Sequence, residues 1–133
     1  MSRENVEIVR RSLDAYSRRD IDALRTLNHP GLELDWSASG GSLAGVYRGI
    51  DEALRFYTEY YETFESTVIE PDHFVETGDL IVVPNVAYQR GRDDGIEVSA
   101  RSTLVFAVHN RLITRICLYQ GKDEALTAVR LEE

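Results

Sequence analysis

The chain has 133 residues, of which 43% are hydrophobic, so it can bury one core and needs no second domain. It carries 23 Asp and Glu against 15 Lys and Arg, a formal net charge of −8. This acidity disfavours nonspecific binding to nucleic acid or to anionic membranes, because their phosphates require a basic surface. No apolar run approaches the roughly 18 residues of a membrane span, and residues 1–5 lack an apolar signal segment. A sole cysteine, Cys117, cannot form an intramolecular disulfide, which is typical of a reducing compartment. We therefore expect a cytoplasmic protein with one domain over residues 1–133.

The first half of the sequence predicts three helices. Apolar residues recur at spacings of three and four over residues 4–18, which predicts an amphipathic helix with Ser2 as its N-cap. A shorter helix begins after Asp20, and Pro30 is expected to end it. Residues 51–64 return to helical spacing, and this third helix is rich in aromatic side chains.

Strand signals occupy the rest of the chain. Residues 32–36 alternate apolar and acidic side chains, which predicts a strand whose apolar face ends in Trp36 and whose acidic face carries Asp35. Turn signals separate five further β-rich runs, at 67–69, 73–76, 80–89, 96–109 and 112–119. Pro84 has no amide hydrogen to donate, so it implies an edge position, a bulge or a break in strand pairing. A last short helix is expected from Asp123 to Leu131.

The order of these elements predicts the fold class. Helices followed by successive hairpins indicate an α+β domain, in which a curved antiparallel sheet carries helices packed on its concave face. A sheet curved in this way encloses a cavity beneath the helices. We therefore expect a small-molecule site between the helices and the sheet.

Several short motifs point to a known superfamily. They are ENVEIVRR at 4–11, RDIDAL at 19–24, HP at 29–30, DW at 35–36, YRG at 47–49, ETGD at 76–79, and Tyr119 followed by EAL at 124–126. In this order the chain resembles the nuclear transport factor 2-like superfamily, specifically its SnoaL-like branch, which is similar in fold to ketosteroid isomerase. The resemblance implies a cone-shaped pocket and a homodimer that pairs through the outer sheet face, along strands 96–109 and 112–119. Because this superfold hosts enzymes, binding domains and scaffolds, it does not define the activity.

The catalytic patterns of the superfamily are incomplete in this sequence. Isomerase chemistry needs a carboxylate base, with a tyrosine and a protonated acid to stabilise the enolate. The resemblance places Ser12 at the tyrosine position, with Tyr16 one turn later, and Leu104 at the position of the protonated acid. Limonene-type epoxide hydrolases need Arg and Asp two residues apart, whereas Arg101 is followed by Thr103. A SnoaL-type cyclase needs a single acid, for which Asp35 is the candidate.

Aromatic and polar side chains supply the candidate ligand-binding residues. Aromatic rings offer contact area, and hydroxyl or amide groups offer a few directed hydrogen bonds. The predicted site comprises Tyr16, Trp36, Tyr57, Tyr61, Asn85, Ser102 and Tyr119. Strand alternation allows only one of Ser102 and its neighbour Arg101 to face inward. The histidines lack metal-ligand spacing and no nucleotide-binding motif occurs, so no metal site and no cofactor are expected.

Two functions remain open at this point. The first is a domain that binds a small, largely apolar molecule, or serves as a dimerisation module, without catalysis; the missing catalytic patterns favour it. The second is a proton-transfer enzyme, such as an isomerase, cyclase or dehydratase, with Asp35 as base and Tyr16 or Tyr57 as hydrogen-bond donor. A buried Asp35 with a raised pKa inside the cavity would favour the enzyme.

Overall fold

The computed structural model describes residues 2–132, with the side chains of residues 3–130. The helices in this part are α1 (Ser2–Arg18), α2 (Ile21–Leu27), α3 (Ile50–Thr63) and α4 (Lys122–Glu132). The strands are β1 (Asn28–Asp35), β2 (Val46–Arg48), β3 (Phe64–Pro71), β4 (Val75–Thr77), β5 (Leu80–Gly91), β6 (Glu97–His109) and β7 (Leu112–Tyr119). The side chains of Ser2 and Leu131, predicted as a cap and as a helix end, lie outside the described residues.

The strands form one curved sheet in the order β2-β1-β7-β6-β5-β3, with β4 paired to the start of β5. This confirms the predicted α+β class and the bent sheet. The sheet is mixed rather than wholly antiparallel, because β1 and β7 run parallel. A parallel pair needs a long crossover connection, and α3 with five of the strands lies between these two in the chain. The sequence pattern of hairpins could not reveal this pairing.

Side-chain alternation gives the sheet two buried faces. On the concave face, Leu104 and Phe106 of β6 join the main core under α1, α2 and α3. On the outer face, Val105 joins a smaller cluster with Val82 of β5 and with α4. The closing helix therefore packs on the outer face, whereas the sequence predicted the helices on the concave face. Its short apolar stripe, Ala125 and Val129, covers these outward-facing valines.

Two prolines mark local differences from regular structure. Pro84 lies where β5 changes its neighbour from β4 to β3, and its carbonyl accepts a hydrogen bond from Asp72 N at 2.8 Å. Of the three predicted alternatives, a break in pairing is present on this side of β5, whereas pairing with β6 continues through Pro84. Helix α2 ends earlier than Pro30 suggests, because Asn28 is already extended and begins β1. Its side-chain amide donates to the Leu24 carbonyl at 2.7 Å, which satisfies one carbonyl of the last helical turn.

Candidate functional site

The candidate site is a cavity between the concave face of the sheet and helices α1 and α3. It has two adjoining compartments, whose shared walls are Tyr16, Trp36, Ile69 and Leu104. The helix-side compartment is completed by Ser12, Leu13, Tyr57, Phe106 and Ile116. The strand-side compartment is completed by Thr67, Val68, Ala87, Tyr88, Gln89 and Ser102.

Both compartments are small in this structure. The helix-side cavity measures about 20 Å³ and the strand-side cavity about 30 Å³. A single water molecule needs at least roughly 10–15 Å³, so each compartment can hold about one water. Sites that enclose whole organic ligands usually measure about 300–1,000 Å³. The hollow predicted from the sequence is therefore present in a closed form, and the shared walls must move apart to admit a ligand.

Two buried tyrosines give the helix-side compartment its polar character. Tyr16 and Tyr57 are 8% and 5% exposed, and their rings meet edge to face at 5.5 Å. Burial raises the pKa of both phenols far above the usual range, so both keep their hydrogen at neutral pH. The hydroxyls of Tyr57 and Ser12 form no hydrogen bond within the described residues. They are free to donate to an acceptor in the cavity.

Trp36 forms the wall between the two compartments. It follows β1 and continues the apolar face of Leu32 and Leu34, as the alternation of residues 32–36 predicts. Its indole Nε1 donates to the Tyr60 hydroxyl at 3.1 Å, and its ring contacts Phe56 at 5.3 Å between centroids. These contacts with α3 hold the indole in place. Because Trp36 is the sole tryptophan of the chain, its fluorescence reports directly on this cavity.

Ser102 supplies the polar wall of the strand-side compartment. Its hydroxyl donates to Asn85 Oδ1 at 3.0 Å, and Asn85 Nδ2 donates to the Val83 carbonyl at 3.0 Å. Asn85 therefore lies one layer behind the cavity surface and orients Ser102. The neighbouring Arg101 points the other way and donates to Asp72 at 2.9 Å. Of the two residues that strand alternation left as alternatives, the serine is the one that faces inward.

The predicted acid Asp35 lies away from the cavity. It is opposite Cys117 on β7, on the outer face of the sheet, and it lines neither compartment. Its carboxylate accepts from Ser37 N at 3.0 Å and from Ser37 Oγ at 2.6 Å. Partial burial raises the pKa of Asp35, but the Ser37 hydrogen bonds and the charge of Arg115 outweigh it, so the pKa is lowered overall. This placement is the opposite of the buried base with a raised pKa that the enzyme hypothesis requires.

Two predicted aromatic residues also lie outside the cavity lining. Tyr61 is behind Tyr16, and its hydroxyl donates to the Tyr16 carbonyl at 2.8 Å. Tyr119 packs against the outer cluster beside α4. Of the seven predicted ligand-binding residues, Tyr16, Trp36, Tyr57 and Ser102 come together around the cavity.

Thr67 is one of the polar cavity residues that sequence reasoning missed, with Tyr88 and Gln89. It lies on β3, and the run at 67–69 puts it on the same face as Ile69, which also lines the cavity. That alternation was the available signal. A run of three residues, however, does not show which of its two faces is buried.

Neither compartment is lined by a charged side chain; the lining residues are apolar, aromatic, hydroxyl-bearing or amide-bearing. Among the described residues, no group of three or more His, Cys, Asp or Glu is arranged to hold a metal ion. None of the helices in the described part is both long and apolar enough to cross a membrane. The cavity can therefore donate and accept neutral hydrogen bonds, but it contains no ionised group to take up a proton at neutral pH.

The fold is that of solved structures described as NTF2-like, ketosteroid isomerase-like and cystatin-like. The chain matches the model of the SnoaL-like domain over residues 9–116 and belongs to that family. No curated protein matches the chain significantly.

Three solved structures illustrate the likeness. TerC co-crystallised with polyporic acid is 18% identical, with 96% of this chain and 98% of that chain covered and a TM-score of 0.77. An NTF2-like protein of unknown function from Burkholderia pseudomallei is 22% identical, with 95% and 97% covered and a TM-score of 0.78. RV0760c from Mycobacterium tuberculosis, in complex with estradiol-17beta-hemisuccinate, is 13% identical, with 90% and 95% covered and a TM-score of 0.78. At these identities the likeness establishes the fold.

Proposed function

We propose that this domain binds a neutral, largely apolar small molecule in the cavity between α1, α3 and the sheet, without catalysing a reaction on it. The observation that carries the proposal is the lining itself, which combines buried apolar and aromatic walls with several hydroxyls and lacks any charged side chain. A carboxylate or phosphate on the ligand would lose its hydration without gaining a cation. A neutral carbonyl, in contrast, would gain donors from Tyr57 and Ser12.

Two of the related structures support the binding of a small organic molecule. TerC was co-crystallised with polyporic acid, and RV0760c forms a complex with estradiol-17beta-hemisuccinate. In our proposal, the ligand of this domain separates Trp36 from the opposite wall and merges the two compartments. The aromatic side chains of α3, which pack ring against ring, then supply the contact area.

Proton transfer is the weaker alternative. It would require Asp35 to move from the outer face to the cavity, or another carboxylate to line it. The lowered pKa of Asp35 and its two hydrogen bonds with Ser37 both oppose that role.

Trp36 fluorescence provides the test. The purified protein is titrated with para-ethylacetophenone, which is neutral and carries a carbonyl, and with para-acetylbenzoate, which has the same carbonyl and a carboxylate. We expect saturable quenching with the neutral ketone and at least tenfold weaker binding of the carboxylate. Equal affinity for the two compounds, or no binding of the neutral ketone, would overturn the proposal. Mass spectrometry of any organic molecule that copurifies with the protein gives an independent check, and a charged ligand would contradict it.

We also propose that the domain is a cytoplasmic homodimer whose subunits pair through the part of the outer sheet face that α4 leaves uncovered. The start of β6, residues 97–101, is exposed there, and the half-buried Val86 and Tyr88 lie beside it. Ser99→Arg, opposite Tyr88 on this face, should shift the protein from dimer to monomer in sedimentation velocity. Glu124→Arg on the exposed side of α4 is the control and should not. A monomeric wild type would contradict the proposal. The single buried thiol, Cys117, fits a reducing compartment.

A further inference from the structure

The strand-side compartment contains a buried hydroxyl whose hydrogen-bonding capacity is unused. Thr67 is 1% exposed, and its Oγ1 has no hydrogen-bond partner within the described residues. Buried polar atoms are satisfied in the great majority of cases, because an unpaired one loses its hydration without compensation. Thr67 lines the cavity, so its free hydroxyl faces the space that a ligand would occupy.

The other hydroxyl of this compartment is already committed as a donor. Ser102 gives its hydrogen to Asn85 Oδ1, and Asn85 in turn gives its amide hydrogen to the Val83 carbonyl. This chain leaves the Ser102 oxygen with lone pairs and no hydrogen to offer. Thr67 Oγ1 lies near the Tyr16 phenol and partly opposes the rise in its pKa, but it forms no hydrogen bond with it, so the lone pairs of Thr67 are also available. The half-buried Gln89 can supply either role.

The two compartments therefore differ in hydrogen-bond polarity. The helix-side compartment has the hydroxyls of Tyr57 and Ser12, which form no hydrogen bond within the described residues. The strand-side compartment has oxygen lone pairs from Thr67 and Ser102. A ligand that spans both compartments would place its hydrogen-bond acceptor in the helix-side compartment and its hydrogen-bond donor in the strand-side compartment.

We propose that Thr67 and Ser102 form a subsite for a hydrogen-bond donor of the ligand, a hydroxyl or an amide N–H, while its carbonyl faces Tyr57. This inference rests on the proposed function and narrows the ligand class to neutral, largely apolar molecules with a carbonyl and a separate hydroxyl or amide. It makes Thr67 a specificity-determining residue, whose hydroxyl forms no hydrogen bond within the described part of the chain.

Two ketones of similar size test the subsite. Para-(hydroxymethyl)acetophenone carries the donor, and para-ethylacetophenone replaces it with a methyl group. Both are titrated against wild type, Thr67→Val and Thr103→Val by Trp36 fluorescence. Thr103 is the matched control, since it is a buried threonine on the outer face of β6. The fold-change in affinity between variant and wild type is compared for the two ketones. Because each ketone is its own reference, the difference in hydrophobicity between the ketones cancels.

We expect Thr67→Val to weaken binding of the hydroxymethyl ketone about fivefold, the value of one ordinary hydrogen bond, and to leave the ethyl ketone within about twofold. Thr103→Val should change neither. We also expect the unliganded Thr67→Val protein to melt at a higher temperature than wild type, because the substitution removes an unsatisfied buried group. A purely structural role of the hydroxyl predicts a lower melting temperature.

The possible outcomes separate this inference from the function on which it rests. If both ketones bind wild type and Thr67→Val affects them equally or not at all, the donor subsite is overturned and the neutral-ligand function stands. If neither ketone binds wild type, the function itself fails, and the subsite fails with it. If Thr67→Val does not fold, Ser102→Cys serves as the second variant. Selective loss of the hydroxymethyl ketone in Ser102→Cys supports the donor subsite, and an equal loss of both ketones or no loss overturns it.

Discussion

The two faces of the sheet carry polar groups of opposite kinds. On the concave face, the polar groups at the cavity are neutral: the hydroxyls of Ser12, Tyr16, Tyr57, Thr67 and Ser102. On the outer face, β1 and β7 carry charges, with Glu33 bound by Arg115 at 3.3 Å and Arg48 at 3.8 Å. In β6 adjacent residues supply both kinds, since Ser102 lines the cavity and Arg101 faces outward and binds Asp72. The curvature of the sheet closes the concave face and leaves the outer face open to solvent. Charged side chains lie on the outer face because their dehydration costs more than that of neutral hydroxyls.

A charge placed on the concave face should have the largest effect on stability. We expect Leu104→Asp to lower the free energy of unfolding by about 4 kcal/mol or more, because it removes a buried leucine and buries a carboxylate without a cation. Ala107→Asp is the control, since Ala107 is half-buried and lies opposite Arg115 across the strand pair. Its cost should be clearly smaller in urea unfolding at neutral pH. Equal losses in the two variants would show that the two faces do not differ in this respect.

The second largest effect is expected behind the cavity, where Ser102 donates a hydrogen bond to Asn85. We expect Ser102→Ala to destabilise the protein by about 2 kcal/mol, because Asn85 Oδ1, in a side chain that is 1% exposed, loses its donor. Ser99→Ala, on an exposed position of the same strand, should change stability by less than about 0.5 kcal/mol. Thermal unfolding of both variants measures the difference. A neutral Ser102→Ala would mean that Asn85 finds another partner.

Tyr57→Phe tests the donors of the helix-side compartment by affinity. We expect about tenfold weaker binding of para-ethylacetophenone in the Trp36 titration, because the carbonyl loses a buried phenol donor. Stability should fall little, since the Tyr57 hydroxyl has no partner in the described structure. Tyr60→Phe is the matched control; its hydroxyl accepts from Trp36 but does not line either compartment. Similar losses in the two variants would refute a direct contact with Tyr57.

The sequence predicts the fold more completely than the site. Helical spacing and strand alternation gave the element types in order except for the three-residue β2, because both depend on local periodicity that burial enforces. The parallel pairing of β1 with β7 and the position of α4 were not predictable in this way, since both depend on contacts between segments far apart in the chain.

The site illustrates the same limit. Alternation places Trp36 on the inward face and Asp35 on the outward face, and the structure agrees on both. It cannot tell whether an inward-facing aromatic residue reaches the cavity, as Tyr57 does, or lies behind another ring, as Tyr61 does. It also cannot show that Thr67 lacks a partner, because an unsatisfied hydroxyl is a property of the packed surroundings and not of the residue.

The smallest expected effect concerns the outer face. Asp35 has a pKa below its ordinary value in the folded protein, so its ionised form contributes stability at neutral pH. That contribution is complete above the unfolded-state pKa and is lost as the pH falls from there through the lowered folded-state pKa. Asp35→Asn should therefore reduce the melting temperature slightly at neutral pH and converge with wild type in acid. Because the carboxylate is only partly buried, we expect a shift of only a few degrees.

The same variant separates the two faces functionally. If Asp35 serves only the turn at Ser37, Asp35→Asn leaves the affinity for both neutral ketones unchanged at every pH at which the protein is folded. Ser37→Ala, which removes one of the two hydrogen bonds to that carboxylate, should reproduce the acid-side change in melting temperature and likewise spare binding. A pH-dependent loss of ketone affinity in Asp35→Asn alone would instead connect the outer carboxylate to the cavity, and the enzyme hypothesis would regain its base.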